Sequence, residues 1–355
     1  MKKNLKKALT IIVALALFIS VFSVVSFAEE TSDLPSYNFN LGTMYYDPAG
    51  SPDYNTDGMT TQYFADLVNE RSNGRVTITV HWASVLGGTT ELFEQVRAGD
   101  LDMYFGGALS SCDSRFGIFN VPGLIDDMDM SEALLVNREG GLYKMLYDIF
   151  QANNIELLSG SIGQFRGLFN NVKEIHVPED CQGLMLRAYA DEVMTSYWNG
   201  LCNTTIMAIS EVYTGLQLGT IDGLEFWPTA MIANGYTDVL KHYSDIYWQW
   251  QSNSNIVMNK EKFESLDPET QQLLKDCAYD AAGIYYRKTE EANMETAYDY
   301  MTEHGIEIYE LTPEEHQAWK DYGASLEDKY IAVVGEETYR QAMAVSNEYR
   351  ENLGK

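Results

Sequence analysis

Between Tyr37 and Phe105 the hydrophobic pattern changes period again and again. Tyr37, Phe39 and Leu41 alternate; Tyr63, Phe64, Leu67 and Val68 recur at helical spacing; Val76, Ile78, Val80 and Trp82 alternate once more. Leu92, Phe93 and Val96 return to helical spacing, and Leu101–Phe105 is a short apolar run. A two-residue period places apolar side chains on one face of a strand, and a 3.6-residue period places them on one face of a helix. Strands alternating with helices must be joined by crossovers, which makes the sheet parallel and the class α/β. Ser72-Asn73-Gly74 stops the first helix, Thr89 and Thr90 are expected to cap the second, and Gly99-Asp100 turns the chain.

The alternation resumes downstream. Ile155–Ser159, Leu184–Tyr189 and Thr204–Met207 read as strands, and Asp191–Trp198 and Glu211–Leu218 as helices. The segment Ala98-Gly99-Asp100-Leu101-Asp102 is echoed by Leu218-Gly219-Thr220-Ile221-Asp222, as expected if each of two lobes ends a helix at a glycine and enters a strand through an aspartate. The C-terminal third is helical. Asp267-Pro268 opens a stretch that no proline interrupts before His304, long enough at 1.5 Å per residue to extend about 55 Å and pass from one lobe to another. Ile306–Leu311 reads as a strand, Thr312-Pro313-Glu314-Glu315 has capping-box spacing, and Gly335 separates the last helix from the one before it.

The N-terminus is a separate object. Lys2, Lys3, Lys6 and Lys7 precede an apolar run, Ala8–Val25, and Ser26-Phe27-Ala28 ends in small residues before Glu29. This is the pattern of an export signal, with residues 1–28 removed; a retained anchor is the alternative. The 355-residue chain carries 52 acidic and 24 basic side chains, a net charge of −28, and the signal holds four of the lysines. Such a surface excludes nucleic acid and basic-patch membrane attachment.

Chemistry-bearing motifs are sparse. His81, His176, His242, His304 and His316 have no metal-ligand spacing, and neither a phosphate-binding glycine loop nor a nucleophile elbow is present. No catalytic residue, metal or cofactor is assigned, and the reading is that of a protein that is not an enzyme. Basic residues, being scarce, are informative. Leu184-Met185-Leu186-Arg187-Ala188 sets Arg187 near the C-terminal end of a strand, where ligands of α/β sheets collect, and its planar fork matches a carboxylate. Arg166 is read as lying in a turn after a strand. Phe226, Trp227, Tyr247, Trp248 and Trp250 crowd the second half and are compatible with a cleft or a core.

Seven segments, in order, carry a resemblance to a known family. They are Arg71–Val76, Val85–Gly88, Gly99–Met103, Phe119–Leu124, Val177–Arg187, Ser210–Tyr213 and Gln217–Glu225. The chain resembles solute-binding proteins of tripartite ATP-independent periplasmic (TRAP) transporters, of the dicarboxylate-binding (DctP) type, over about residues 36–355. That resemblance implies a two-lobe periplasmic-binding-protein fold with a hinged ligand cleft and a long helix spanning both lobes. The lobes are expected at 36–163 plus 252–291 and at 164–251 plus 292–355. It implies that Arg187 pairs with the ligand carboxylate, that Arg166 stands near it, and that Glu225 ends the Asp-Gly-x-Glu motif beside the site. Where family members commonly carry Asn-Pro after that motif, this chain has Phe226-Trp227-Pro228, and Trp248 falls near a frequent histidine. These aromatic replacements lead to the expectation of a flatter or more apolar acid, aromatic or sugar-derived in class, stabilised by stacking worth ~1 kcal/mol.

The implied function is capture of an organic acid outside the cytoplasm, by a monomer, for delivery to TRAP membrane permease subunits. The alternatives are a binding protein of an ATP-driven importer, a ligand-sensing receptor subunit and, last, an exported hydrolase. Cys181 and Cys202 precede two strands expected to be parallel neighbours, so either they form a bridge or all four cysteines, with Cys112 and Cys277, are thiols.

Overall fold

In the computed structural model, residues 34–50, 53–251 and 255–354 are described, with Tyr247, Trp248 and Gln251 described by backbone only. The predicted signal peptide lies outside the described residues. Tyr37–Lys355 forms one compact unit.

The strands are β1 (Tyr37–Thr43), β2 (Val76–His81), β3 (Met103–Gly106), β4 (Ile155–Ser159), β5 (Gln164–Asn170), β6 (Met185–Ala188), β7 (Asn203–Ile206), β8 (Gly223–Phe226), β9 (His242–Gln251), β10 (Asn255–Asn259) and β11 (Glu307–Tyr309). The principal helices are α1 (Thr56–Arg71), α2 (Thr89–Ala98), α3 (Gly141–Ala152), α4 (Glu192–Trp198), α5 (Ile209–Leu218), α6 (Pro228–Ala233), α7 (Pro268–Tyr279), α8 (Tyr286–Glu303), α9 (Pro313–Ala324), α10 (Glu327–Val334) and α11 (Glu336–Asn352).

Two sheets result. The first has the order β2-β1-β3-β10-β4, with β1 parallel to both β2 and β3 and with β10 antiparallel to its neighbours. The second has the order β11-β9-β5-β8-β6-β7, with β6 parallel to β7 and β8 and with β5 antiparallel to β8 and β9. The chain passes between sheets from β4 to β5, from β9 to β10, and again through α7 and α8 to β11. Phe39, Leu41, Phe64, Val68, Met103 and Met258 are buried against the first sheet, as the alternation in β1 requires. Phe169, Leu224, Tyr243, Ala297 and Met301 play the same part in the second. The helices α10 and α11 return to pack on Ser114–Asn120, and α11 also packs on α3.

The echo between the two halves has a physical basis. Both α2 and α5 end at a left-handed glycine, Gly99 (φ 85°) and Gly219 (φ 68°), a conformation that costs a residue with a Cβ. The aspartate three residues on then accepts a backbone N–H from the neighbouring strand: Asn40 N to Asp102 Oδ2 at 2.7 Å, and Met185 N to Asp222 Oδ2 at 2.8 Å. The same turn chemistry therefore registers β1 to the chain before β3, and β6 to the chain before β8.

Three features differ from the sequence reading, and one open alternative is resolved. Arg166 is not in a turn; the bend ends at Gly163 and Arg166 is the third residue of β5, whose interior position hides its alternation. Thr89 and Thr90 do not cap α2: Gly88 is the N-cap residue, and the two hydroxyls turn to Met44 Sδ (3.1 Å) and Ser111 Oγ (3.4 Å). The long C-terminal helix is continuous but contains a π-helical segment, Asp280–Tyr285, between α7 and α8. Gly283 sits there because a Cβ would come within 2.8 Å of Val136 Cγ1. Of the two cysteine alternatives the structure has all four as thiols, with β6 and β7 parallel neighbours as expected; burial pushes the Cys202 thiol up to about 12 and Cys181 higher still.

Replacing Gly283 by Leu is expected to destabilise the protein by about 1–3 kcal/mol through overpacking against Val136. Urea unfolding checks this, and combining Gly283→Leu with Val136→Ala should recover part of the loss; strict additivity would place the strain elsewhere.

Candidate functional site

The carboxyl ends of β1, β6, β7 and β8 converge on a cavity of about 380 Å³. Met44, Ser84, Thr89, Thr90, Glu91 and Leu109 line it from the side of the first sheet. Arg166, Arg187, Tyr189, Met207, Phe226 and Trp227 line it from the second. Ligands of α/β sheets collect outside strand C-termini because loops diverge there and leave a crevice.

Arg187 is the third residue of β6 and is buried. Its Nε donates to the Met207 carbonyl at 3.0 Å, and its guanidinium lies 5.6 Å from the Tyr189 ring centre. Arg187 and Tyr189 are two residues apart, so both face the cavity. Burial holds the guanidinium below its ordinary value, while the Glu225 charge opposes that shift. Among the described residues no carboxylate forms an ion pair with Arg187 and no acceptor takes its two terminal nitrogens.

Arg166 is different. Its Nε donates to Glu225 Oε2 and its Nη2 donates to the Glu225 carbonyl at 2.7 Å. Both side chains are almost wholly inaccessible. The antiparallel register of β5 on β8 sets Leu168 opposite Glu225 and Gly167 opposite Phe226, which brings Arg166 beside the end of β8. Tyr189, Phe226 and Trp227 surround the guanidinium with ring centres at 5.4, 5.3 and 4.9 Å. Cation–π contacts in a desolvated site contribute ~1–2 kcal/mol each. Phe226 and Trp227 stack on each other at 4.5 Å, forming one continuous aromatic wall.

Of the residues singled out in the sequence, Arg187, Arg166, Phe226 and Trp227 line the cavity. Glu225 lies behind it, holding Arg166. Trp248 falls among the side chains outside the described residues. Sequence reasoning missed Tyr189, which the two-residue period from Arg187 could have revealed. It also missed the Met207 carbonyl, a backbone group with no side-chain signature, and the facing edge at Met44, Ser84 and Thr89–Glu91.

A crevice between two α/β sheets thus carries a buried guanidinium at a strand C-terminus, and among the described residues no histidine or cysteine lines it. The family model described as bacterial extracellular solute-binding protein, family 7 (DctP) matches residues 49–332, and the chain belongs to that family. Among its relatives, the 2,3-diketo-L-gulonate-binding periplasmic protein YiaO of Escherichia coli is 26% identical over 323 residues, covering 90% of this chain and 93% of its own. The C4-dicarboxylate-binding periplasmic protein DctP of Rhodobacter capsulatus is 27% identical over 295 residues, covering 80% and 85%. The crystal structure of the sugar acid binding protein of Advenella mimigardefordensis in complex with galactonate superposes with a TM-score of 0.80 at 22% identity, covering 89% of this chain and 99% of that one. No helix among the described residues is long and apolar enough to cross a membrane.

Exchanging Glu225 for Gln leaves the Arg166 charge buried beside a neutral amide. The expected loss is about 3–5 kcal/mol of stability, measured by urea unfolding without added acid. A loss below about 1 kcal/mol would show that the pair is dispensable to the fold.

Proposed function

We propose that the protein captures an organic acid in this cleft and delivers it to TRAP membrane permease subunits. The observation that carries the reading is Arg187, a buried guanidinium at a strand C-terminus whose terminal nitrogens meet no protein acceptor among the described residues. A carboxylate supplies the two acceptors in the geometry of the fork. Arg166, neutralised by Glu225, adds a donor without a second free charge. The aromatic wall of Phe226 and Trp227 favours an acid with a planar or sugar-ring body. The sugar-acid and C4-dicarboxylate specificities in the names of its relatives support the chemical class.

In this reading the chain works as an exported monomer from which residues 1–28 are removed. No bond is made or broken. Two lobes, 36–163 plus 252–291 and 164–251 plus 292–355, close over the acid, and binding shifts the population toward the closed form. The three passages of the chain between the sheets support a hinge there.

Mass spectrometry of acid released from natively purified protein, followed by titration calorimetry, tests the reading. Arg187→Ala is expected to cost about 2–5 kcal/mol of binding. Arg187→Lys is not expected to restore it, because an ammonium lacks the planar fork. Near-normal affinity in the Lys variant would remove Arg187 from the anchoring role.

A further inference from the structure

Beneath the aromatic wall, and not part of the cavity lining, lies a carboxylate that the capture mechanism does not use. Glu290 is in the first turn and a half of α8 and is wholly buried. Elements from both sheets converge on it. From the N-terminus of α1, against the first sheet, Thr56 Oγ1 donates to Glu290 Oε2 at 2.5 Å. From α6, after the second sheet's β8, Thr229 Oγ1 donates to Oε1 at 2.8 Å. Gln164, the first residue of β5 after the crossover, is satisfied when its amide nitrogen donates to Oε1 and its oxygen accepts the indole N–H of Trp227 at 2.5 Å. Asn293, one turn further along α8, donates to Thr56 Oγ1 at 3.0 Å. Trp227 is the cavity wall and lies over Arg166. An unbroken hydrogen-bonded path therefore runs from α1 through Glu290 and Gln164 to the cleft.

We propose that Glu290 is a positioning residue for ligand capture, holding the Trp227 wall to both halves of the cleft, and that capture is linked to protonation of its carboxylate. The inference rests on the reading of the cavity as the capture site.

The surroundings of Glu290 favour the neutral acid. Among the described residues no Lys, Arg or His pairs with it; Arg287, three residues earlier on the helix, is turned to Asp129, Glu132 and Glu291. The titratable groups that face it are Asp57 from α1, whose charge opposes ionisation, and Tyr286 from its own helix, a neutral phenol that the Glu290 charge itself holds protonated. The donated hydrogen bonds of Thr56, Thr229 and Gln164 act the other way, but burial is the larger effect and pushes the carboxyl up to about 7. Thr56 stands with the first sheet, whereas Thr229 and Gln164 stand with the second. Any opening that draws these apart admits water and lowers the Glu290 carboxyl toward, but not to, the ordinary carboxylate range, because Thr56 and Asn293 stay packed about it. The ligand-held state then binds the proton more tightly than the open state. The sign follows: capture takes up a proton between the ordinary carboxylate range and about pH 7, and affinity falls as pH rises through that window. No histidine lines the cavity to produce the same slope.

The same carboxylate makes the folded chain bind more protons than the unfolded one across that window. Stability in the absence of acid should therefore fall as pH rises from about 5 to about 7. Glu290→Gln, an isostere of the neutral acid, tests both consequences. Urea unfolding of the ligand-free chain at about pH 5.5, 6.5 and 7.5 is expected to show a downward slope in wild type that is flattened in the variant. Titration calorimetry with D-galactonate, D-galacturonate and succinate as probes, in phosphate and in Tris, reads the proton directly. Wild type is expected to take up a fraction of one proton and to lose about three- to tenfold in affinity from about pH 5.5 to about pH 7.5. Glu290→Gln should bind without proton uptake or pH dependence, whereas Glu290→Ala should bind several-fold more weakly at every pH. Equal pH slopes in wild type and Glu290→Gln, in unfolding or in binding, overturn the proposal. Failure of all three probes to bind wild type counts against the cleft's proposed ligand class, and the ligand-free slopes still decide the role of Glu290.

Discussion

Two guanidinium groups stand side by side at one aromatic wall, and among the described residues only Arg166 forms an ion pair with a carboxylate. Removing a guanidinium from water costs several kcal/mol unless an anion compensates it. Glu225 meets that requirement for Arg166, whereas among the described residues no carboxylate forms an ion pair with Arg187. This imbalance is the basis for proposing the gap between the sheets as the site for an anionic solute. It also dictates the local architecture: β5 must run antiparallel beside β8 to bring Arg166 to Glu225, and β6 must lie on the other side of β8 to present Arg187 at the same edge.

That arrangement explains why the second sheet mixes strand directions while β1, β2 and β3 of the first remain parallel. Its one reversed strand among the described residues is β5, which enters from the first sheet, and β9 on its other side leads back to that sheet. The crossover after β4 delivers Gln164 and Arg166 together, one to the buried carboxylate of the long helix and one to the cleft. The long helix itself is interrupted by a π-helical segment where Gly283 meets Val136, so it follows both halves while packing closely against one. A strongly acidic exterior coexists with this anion site because the relevant field is local: a desolvated guanidinium at hydrogen-bonding distance outweighs dispersed, screened surface charge.

Much of this was legible in the sequence wherever the physics was local. The period changes in residues 37–105 report side chains that alternate between a core and a surface, so β1, α1, β2, α2 and β3 could be read directly. The glycine stops at Gly99 and Gly219 were visible because a left-handed backbone has few other occupants, and the Thr312-x-x-Glu315 box formed as spaced. Arg187 stood out because basic residues are few. Strands β5, β8 and β10 were harder, because strands buried on both faces lack alternation, and Arg166 was consequently misplaced in a turn.

The sequence by itself determined the α/β class, the turn chemistry and the presence of an isolated arginine at a strand end, all of which depend on residues near one another in the chain. Tertiary structure alone decided which guanidinium is paired with a carboxylate and which is not. Arg166 and Glu225 are 59 residues apart, and Arg187 lies between them in sequence without pairing. It likewise decided that Thr56, Gln164, Thr229 and Glu290 share one buried network. Those partners span 234 residues between Thr56 and Glu290, and only the crossing of the chain between two sheets brings them within hydrogen-bonding distance.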